Sequence, residues 1–198
     1  MKIFLMLFIA LNLMAQNDYS LRIAHGNATE SALGDVIIGK IGSHPEDLQV
    51  YSLDLGYLVK ENVFEMPIDI YIKTGLSKYN EDKYKSIYGA SIHIKAYYNL
   101  DFFSNRARFG ISDGISYTHG ILRTEYLEAL QIDGKTSKYL NYLDISLDFD
   151  LGRLICFKPM YDTYFGWALK HRSGIFGLIN GVTKGGSNYN TLYIEKNF

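Results

Sequence analysis

The sequence predicts an all-β fold, a single eight-stranded antiparallel transmembrane β-barrel. Three observations carry that prediction. The N-terminus has the form of an export signal, several segments of membrane-crossing length alternate with period two, and the last strand closes on Phe198. Composition agrees, with 17 Tyr, 11 Phe and 18 Gly but only 3 Pro among 198 residues, at a mean hydropathy of only −0.06. Such an aromatic-rich, half-polar chain suits strands whose two faces meet different solvents. A formal net charge of −1 gives no basis for a nucleic-acid partner. The single cysteine, Cys156, excludes an internal disulfide framework.

Residues 1–15 read as a secretory signal peptide, with a positive charge at Lys2, an apolar run from Ile3 to Met14 and the small Ala15 before polar Gln16, Asn17 and Asp18. The run is shorter than the roughly 20 residues that a transmembrane helix needs. No cysteine adjoins the cleavage site to take a lipid anchor. Residues 16–198 then form one barrel domain, destined for a Gram-negative outer membrane.

Strands are expected at 19–26, 49–60, 67–77, 86–98, 107–118, 141–152, 160–173 and 188–198. Most approach the ten or so residues that a tilted strand needs to cross a bilayer. In the third, Ile68, Ile70, Ile72 and Leu76 oppose Asp69, Tyr71, Lys73 and Ser77. The fourth sets Tyr88, Ala90, Ile92, Ile94, Ala96 and Tyr98 against Ser91, His93, Lys95 and Tyr97; aromatics at both ends of its apolar stripe fit two interfacial girdles. In the sixth, Leu143, Ile145, Leu147, Phe149 and Leu151 oppose Tyr142, Asp144, Ser146, Asp148 and Asp150. Three aspartates on one face cannot sit cheaply in a dry sandwich core. Eight strands close into a barrel filled by its own side chains, so Asp54, Asp69, Lys73, His93, Lys95, Asp144, Asp148 and Asp150 are expected to neutralise one another rather than line a pore.

With a periplasmic N-terminus, the connections at 27–48, 78–85, 119–140 and 174–187 become extracellular, and three of these four are long. Short periplasmic turns and long outer loops are the usual pattern. Gly34–Gly42 is expected to add a strand segment or a helix-like plug.

Chemistry is most suggested at Lys170–His171–Arg172–Ser173–Gly174, at the end of the seventh strand. His171 and Ser173 share parity with Phe165, Trp167 and Leu169, so alternation projects an imidazole and a hydroxyl from the lipid-facing side. Side chains two residues apart on a strand are about 7 Å apart at Cα, within reach for a base beside a nucleophile. A polar interfacial girdle gives the same pattern without chemistry. The glycines of 174–187 supply either backbone N–H groups for an oxyanion hole or the positive φ of a hairpin connection.

His171-x-Ser173, followed by a Gly/Asn-rich loop and a last strand ending in Phe198, resembles the outer-membrane lipid A deacylases of the PagL type. The resemblance covers the last part of the chain in motif and the remainder in architecture. It implies an eight-stranded barrel that hydrolyses an ester-linked acyl chain of lipid A in the outer leaflet, with a Ser-His-Glu triad on its outer surface. His171 would then be the general base and Ser173 the nucleophile. Gly174 and Ile175 stand where the family has Asn and Ala after the serine, and Asn188 stands at the position of its acid. Phe198 parity sends Asn188 and Asn190 outward, so either lies beside His171; an amide orients a histidine without supplying a charge. Glu125 and Glu128, in the 119–140 connection, are the carboxylates available from elsewhere.

The expected partners are lipopolysaccharide in the outer leaflet and the barrel-assembly machinery, which would read the C-terminal strand. Lys170, Arg172 and Lys184 lie near the rim, but parity turns the first two toward the lumen. His25, His44, His93 and His119 are scattered without metal-ligand spacing, so neither metal nor cofactor is expected. The alternative function is a non-enzymatic barrel that contacts or organises lipopolysaccharide at the cell surface.

Overall fold

Strands form where the alternation predicts them: β1 (Tyr19–Thr29), β2 (Leu48–Lys60), β3 (Ile68–Glu81), β4 (Ile87–Phe102), β5 (Asn105–Thr118), β6 (Tyr139–Asp150), β7 (Thr163–Ser173) and β8 (Ser187–Asn197). In this computed structural model, which describes residues 18–81, 85–131 and 134–198, they close into a barrel of antiparallel neighbours, with β8 returning to β1. The expected signal peptide, residues 1–15, lies outside the described residues. Backbone bonds between Tyr19 and Phe198 (3.0 and 2.9 Å) seal the seam at the end where the chain begins and finishes. At that rim β4 and β5 are joined by Phe103 and Ser104 alone, both in the left-handed region. The longer connections at 30–47, 119–138 and 174–186 gather at the opposite rim.

The outer wall is apolar. Ile23, Leu53, Leu55, Ile72, Leu76, Ile92, Ile94, Ile111, Leu147 and Ile194 are all exposed on it. An exposed apolar surface of that extent has no place in water and is the band that lipid covers in a transmembrane barrel. Aromatic side chains bound it, with Tyr19, Tyr57, Tyr98 and Phe149 toward the terminal rim and Tyr51, Tyr88, Tyr117 and Tyr139 toward the long-loop rim.

The interior is polar and filled. Glu195 accepts from Arg22 Nε and Lys73 Nζ, each at 2.7 Å, and Asp144 accepts from Lys95 and Arg22. Arg108 forks onto Asp148 at 2.9 and 2.8 Å, while its guanidinium lies 3.3 Å from the centre of the Tyr164 ring. Lys170 reaches Asp54 at 2.9 Å. Removing an ion from water costs several kcal/mol unless partners replace its hydration, and each of these charges has one. Asp69 and Asp150 serve the terminal rim instead: Asp69 accepts from Asn99 Nδ2, and Asp150 caps the short helix at Leu151–Leu154 through Arg153 N. His93 packs on Tyr142 inside the barrel.

Two expectations need correction. Residues 34–42 add no strand; of the two alternatives they take the helical one, though only as one short turn and not as a plug. Leu33–Ile37 forms a single short helix, α1, and Ile37, Ile38 and Ile41 are exposed outside the filled lumen. The seventh strand begins at Thr163 rather than 160, because a 3₁₀ turn at Lys158–Met160 and Asp162 in the left-handed region (φ 59°) precede it.

Candidate active site

At the long-loop end of β7, alternation turns Lys170 and Arg172 into the barrel and His171 and Ser173 out of it. Antiparallel pairing sets His171 directly opposite Asn188 on β8, and Ser173 opposite Asn141 on β6. Asn190 pairs with Leu169, one outward row away from the histidine. Register therefore brings Asn188, and not Asn190, to the imidazole.

His171 Nδ1 lies 2.6 Å from Asn188 Oδ1. The amide orientation is fixed by its far side, where Asn188 Nδ2 donates to Ser31 O at 3.0 Å. An acceptor therefore faces the ring, and Nδ1 must carry the proton. Nε2 is left with its lone pair, the tautomer that a general base requires. The residues behind Ser31 are also tied down. Ser31 N donates to Thr29 Oγ1 at 3.1 Å, Thr29 Oγ1 donates to Gly42 O, and Gly42 N donates to Ser31 Oγ at 2.8 Å. The β1–β2 connection thus orients Asn188, which in turn orients His171.

Gly186 packs beside both functional side chains. A Cβ there would stand in ordinary contact with His171 Cε1 (3.5 Å) and Ser173 Cβ (3.8 Å) but only 2.7 Å from Arg172 O, and it is that backbone oxygen that requires glycine. Ser173 is half-buried, and its hydroxyl makes no hydrogen bond to His171 among the described residues. Asn141, opposite Ser173, spends its amide protons on Asp113 Oδ1 (2.7 Å) and Gly114 O (3.0 Å), leaving only an acceptor oxygen. It cannot donate to an oxyanion.

The loop after Ser173 is internally bonded. Gly174 O accepts from Gly177 N and Ile179 N, while Ile175 and Phe176 occupy the left-handed region (φ 48° and 52°). For a β-branched residue that conformation is a genuine outlier. Gly185 N and Gly186 N donate to Glu128 Oε2 at 3.2 and 3.0 Å. Glu128 and Glu125 belong to α2 (Arg123–Leu130) in the 119–138 connection. Glu125 is buried and accepts from Arg172 Nη1 at 2.5 Å and Ser187 Oγ at 3.0 Å, while its Oε2 has no hydrogen-bond partner among the described residues. Burial pushes its carboxyl up to about 7, and the adjacent Arg172 guanidinium offsets only part of that rise.

Lys170 and Arg172 are consumed by Asp54 and Glu125 inside the barrel, which leaves Lys184 as the exposed member of the cationic set. Glu125 and Glu128 were not placed by alternation, since they lie on a loop helix. The Glu-x-x-Glu spacing that puts them on one helical face is the only signal the sequence carries for them.

On the outer wall, an apolar groove of about 990 Å³ runs from β7 across β8, β1 and β2 to β3 and β4, with Leu192, Ile194, Ile23 and Leu53 in its lining. It begins one outward position along β8 from Asn190.

The sequence matches no protein-family profile and no curated protein. Solved structures do match in fold. The outer membrane enzyme PagL superposes with a TM-score of 0.60 at 12% identity, covering 90% of this chain and 99% of that one. Neisserial surface protein A (NspA) superposes with a TM-score of 0.50 at 11% identity, covering 92% and 98% respectively.

Proposed function

We propose that this barrel is an outer-membrane serine esterase that removes an ester-linked acyl chain from the lipid A of lipopolysaccharide. The observation that carries the reading is the His171 Nδ1 to Asn188 Oδ1 contact of 2.6 Å, locked by Ser31. It holds a neutral imidazole in the base tautomer two residues from a hydroxyl that makes no hydrogen bond to it. The fold shared with the outer membrane enzyme PagL is consistent with that use. Export through residues 1–15 and recognition of β8 by the barrel-assembly machinery belong to the same reading.

In this mechanism Ser173 Oγ attacks the ester carbonyl carbon as its proton passes to His171 Nε2. The tetrahedral intermediate collapses, the C–O bond to the sugar breaks, and the imidazolium returns the proton to the leaving alkoxide. Water then attacks the acyl-serine by the same route and releases the fatty acid. Asn188 keeps the ring oriented but supplies no negative charge to the imidazolium, so turnover is expected below that of a carboxylate triad. The groove along Leu192 and Ile194 offers the scissile acyl chain an apolar path on the same wall.

The missing hydrogen bond between Ser173 and His171 favours a second reading, a barrel that contacts or organises lipopolysaccharide without hydrolysing it. Catalytic hydrogen bonds often tighten only once substrate is bound. Mass spectrometry of lipid A from cells expressing the wild type, Ser173→Ala or His171→Ala separates the two. Loss of one acyl chain in the wild type alone is expected. Identical spectra in all three would leave the non-enzymatic barrel.

A further inference from the structure

The β7–β8 ladder ends at Arg172 and Ser187, one rung beyond His171 and Asn188. Strand ends open locally at little cost, so a site on the penultimate rung needs something to hold the two strands in place. The structure supplies it from behind. Glu125 Oε1 accepts from Arg172 at 2.5 Å and from Ser187 at 3.0 Å, tying the last rung to one carboxylate oxygen. Arg172 separates His171 from Ser173, and Ser187 adjoins Asn188. Successive strand residues point to opposite faces, so the inward residues bound by Glu125 are the direct chain neighbours of the three outward ones.

Arg172 is fixed further by Ser116 Oγ (2.9 Å), Thr118 Oγ1 (3.2 Å) and Lys138 O (3.2 Å). One helical turn along α2, Glu128 holds the N–H groups of Gly185 and Gly186, and Gly186 stands so near the pair that a Cβ on it would touch His171 Cε1 (3.5 Å) and Ser173 Cβ (3.8 Å). The two carboxylates thus grip both the final rung and the loop segment that runs beside base and nucleophile.

We propose that Glu125 and Glu128 are positioning residues: from the loop helix they set the spacing of His171 and Ser173 on β7 relative to Asn188 on β8. The effect on turnover rests on the esterase reading; the effect on His171 geometry does not.

The test uses the full barrel in lipopolysaccharide-containing micelles and compares wild type with Glu128→Ala, Glu128→Gln and Glu125→Gln. Two readouts are taken: deacylation kinetics, and the ¹⁵N resonances of His171, assigned by their loss in His171→Ala. Glu128→Ala is expected to lower kcat by roughly ten- to a hundredfold, the scale of a small misplacement of reacting groups. KM should change little, and the protonated Nδ1 signal should broaden into a mixture of tautomers. Glu128→Gln keeps an acceptor for both N–H groups and should recover most of the loss. Glu125→Gln keeps an acceptor for Ser187 but weakens the hold on Arg172, and should give an intermediate change in the His171 signal. An unchanged His171 signal in folded Glu128→Ala overturns the proposal, as does a Glu128→Gln variant as impaired as the alanine. If the wild type leaves lipid A intact, the esterase reading fails on its own, while the resonances still decide whether the clamp positions His171.

Discussion

His171 Nδ1 meets Asn188 Oδ1 at 2.6 Å across the penultimate rung of the β7–β8 ladder, with the amide turned by its bond to Ser31 O. Asn188→Ala removes the acceptor and frees the ring to adopt either tautomer. Deacylation is expected to fall by roughly 10²- to 10⁴-fold, the range seen when the tautomer-fixing group of a triad is lost. A time course of lipid A mass spectra measures it. Asn188→Asp keeps an acceptor for the ring but turns a second oxygen onto the Ser31 carbonyl, so it should loosen the β1–β2 connection. Faster amide exchange at residues 29–44 would report that loosening.

Gly186→Ala places a Cβ 2.7 Å from Arg172 O, closer than a backbone oxygen tolerates. The β7–β8 connection must shift away from His171 and Ser173. Turnover should drop at least tenfold, while the barrel keeps its heat-dependent mobility on electrophoresis. Full activity in this variant would show that the glycine serves the turn alone.

Glu125 gives the loop helix a pH dependence of definite sign. Its carboxyl is raised from 4.5 to about 7 by burial, with Arg172 and Ser187 opposing the rise and the Glu81 carboxylate adding to it. The folded state therefore holds the proton more tightly than the unfolded chain. That contribution is complete below pH 4.5 and is lost as pH rises through 7, amounting to about 3 kcal/mol at most. Protection of the α2 amides, exchange measured against the intrinsic rate at each pH, should be greater at pH 5 than at pH 8. Glu125→Gln, which does not titrate, should flatten the difference.

Glu195 is the carboxylate on which Arg22, Lys73 and Arg108 converge. Glu195→Ala leaves three buried cations short of a partner, and breaking such pairs costs about 3–5 kcal/mol. Urea unfolding in lipid vesicles should show a loss of that order. Glu195→Gln, which still accepts hydrogen bonds, should lose less.

Leu147 is exposed on the outer wall between the aromatic girdles. In a bilayer Leu147→Arg should cost about 2–4 kcal/mol near the midplane. The same vesicle-unfolding measurement reads it, and a neutral result would place that face in water.

Much of the architecture was legible because a strand carries its environment in a period of two. In β6 the aspartates 144, 148 and 150 mark the inside and Leu143, Ile145, Leu147 and Phe149 the outside, as the structure has them. Parity also turned Lys170 and Arg172 inward. It was silent at 34–42, where α1 forms outside any alternating pattern, and at the lead-in to β7, where a left-handed Asp162 delays the strand. The ion pairs of the filled interior join residues from 40 positions apart, as in Arg108 with Asp148, to 173, as in Arg22 with Glu195, so Glu195, Arg22 and Arg108 could not be matched to partners from spacing.

The sequence by itself determined the strand count, the in–out parity and the common outward face of His171, Ser173 and Asn188, because each depends only on local alternation. Only the tertiary structure decided which amide meets the imidazole. That choice depends on the β7–β8 register, on Ser31 arriving from a distant loop to turn the amide, and on Glu125 and Glu128 bracing the strand ends. These are contacts between loops and ladders brought together by barrel closure, and no periodicity along the chain encodes them.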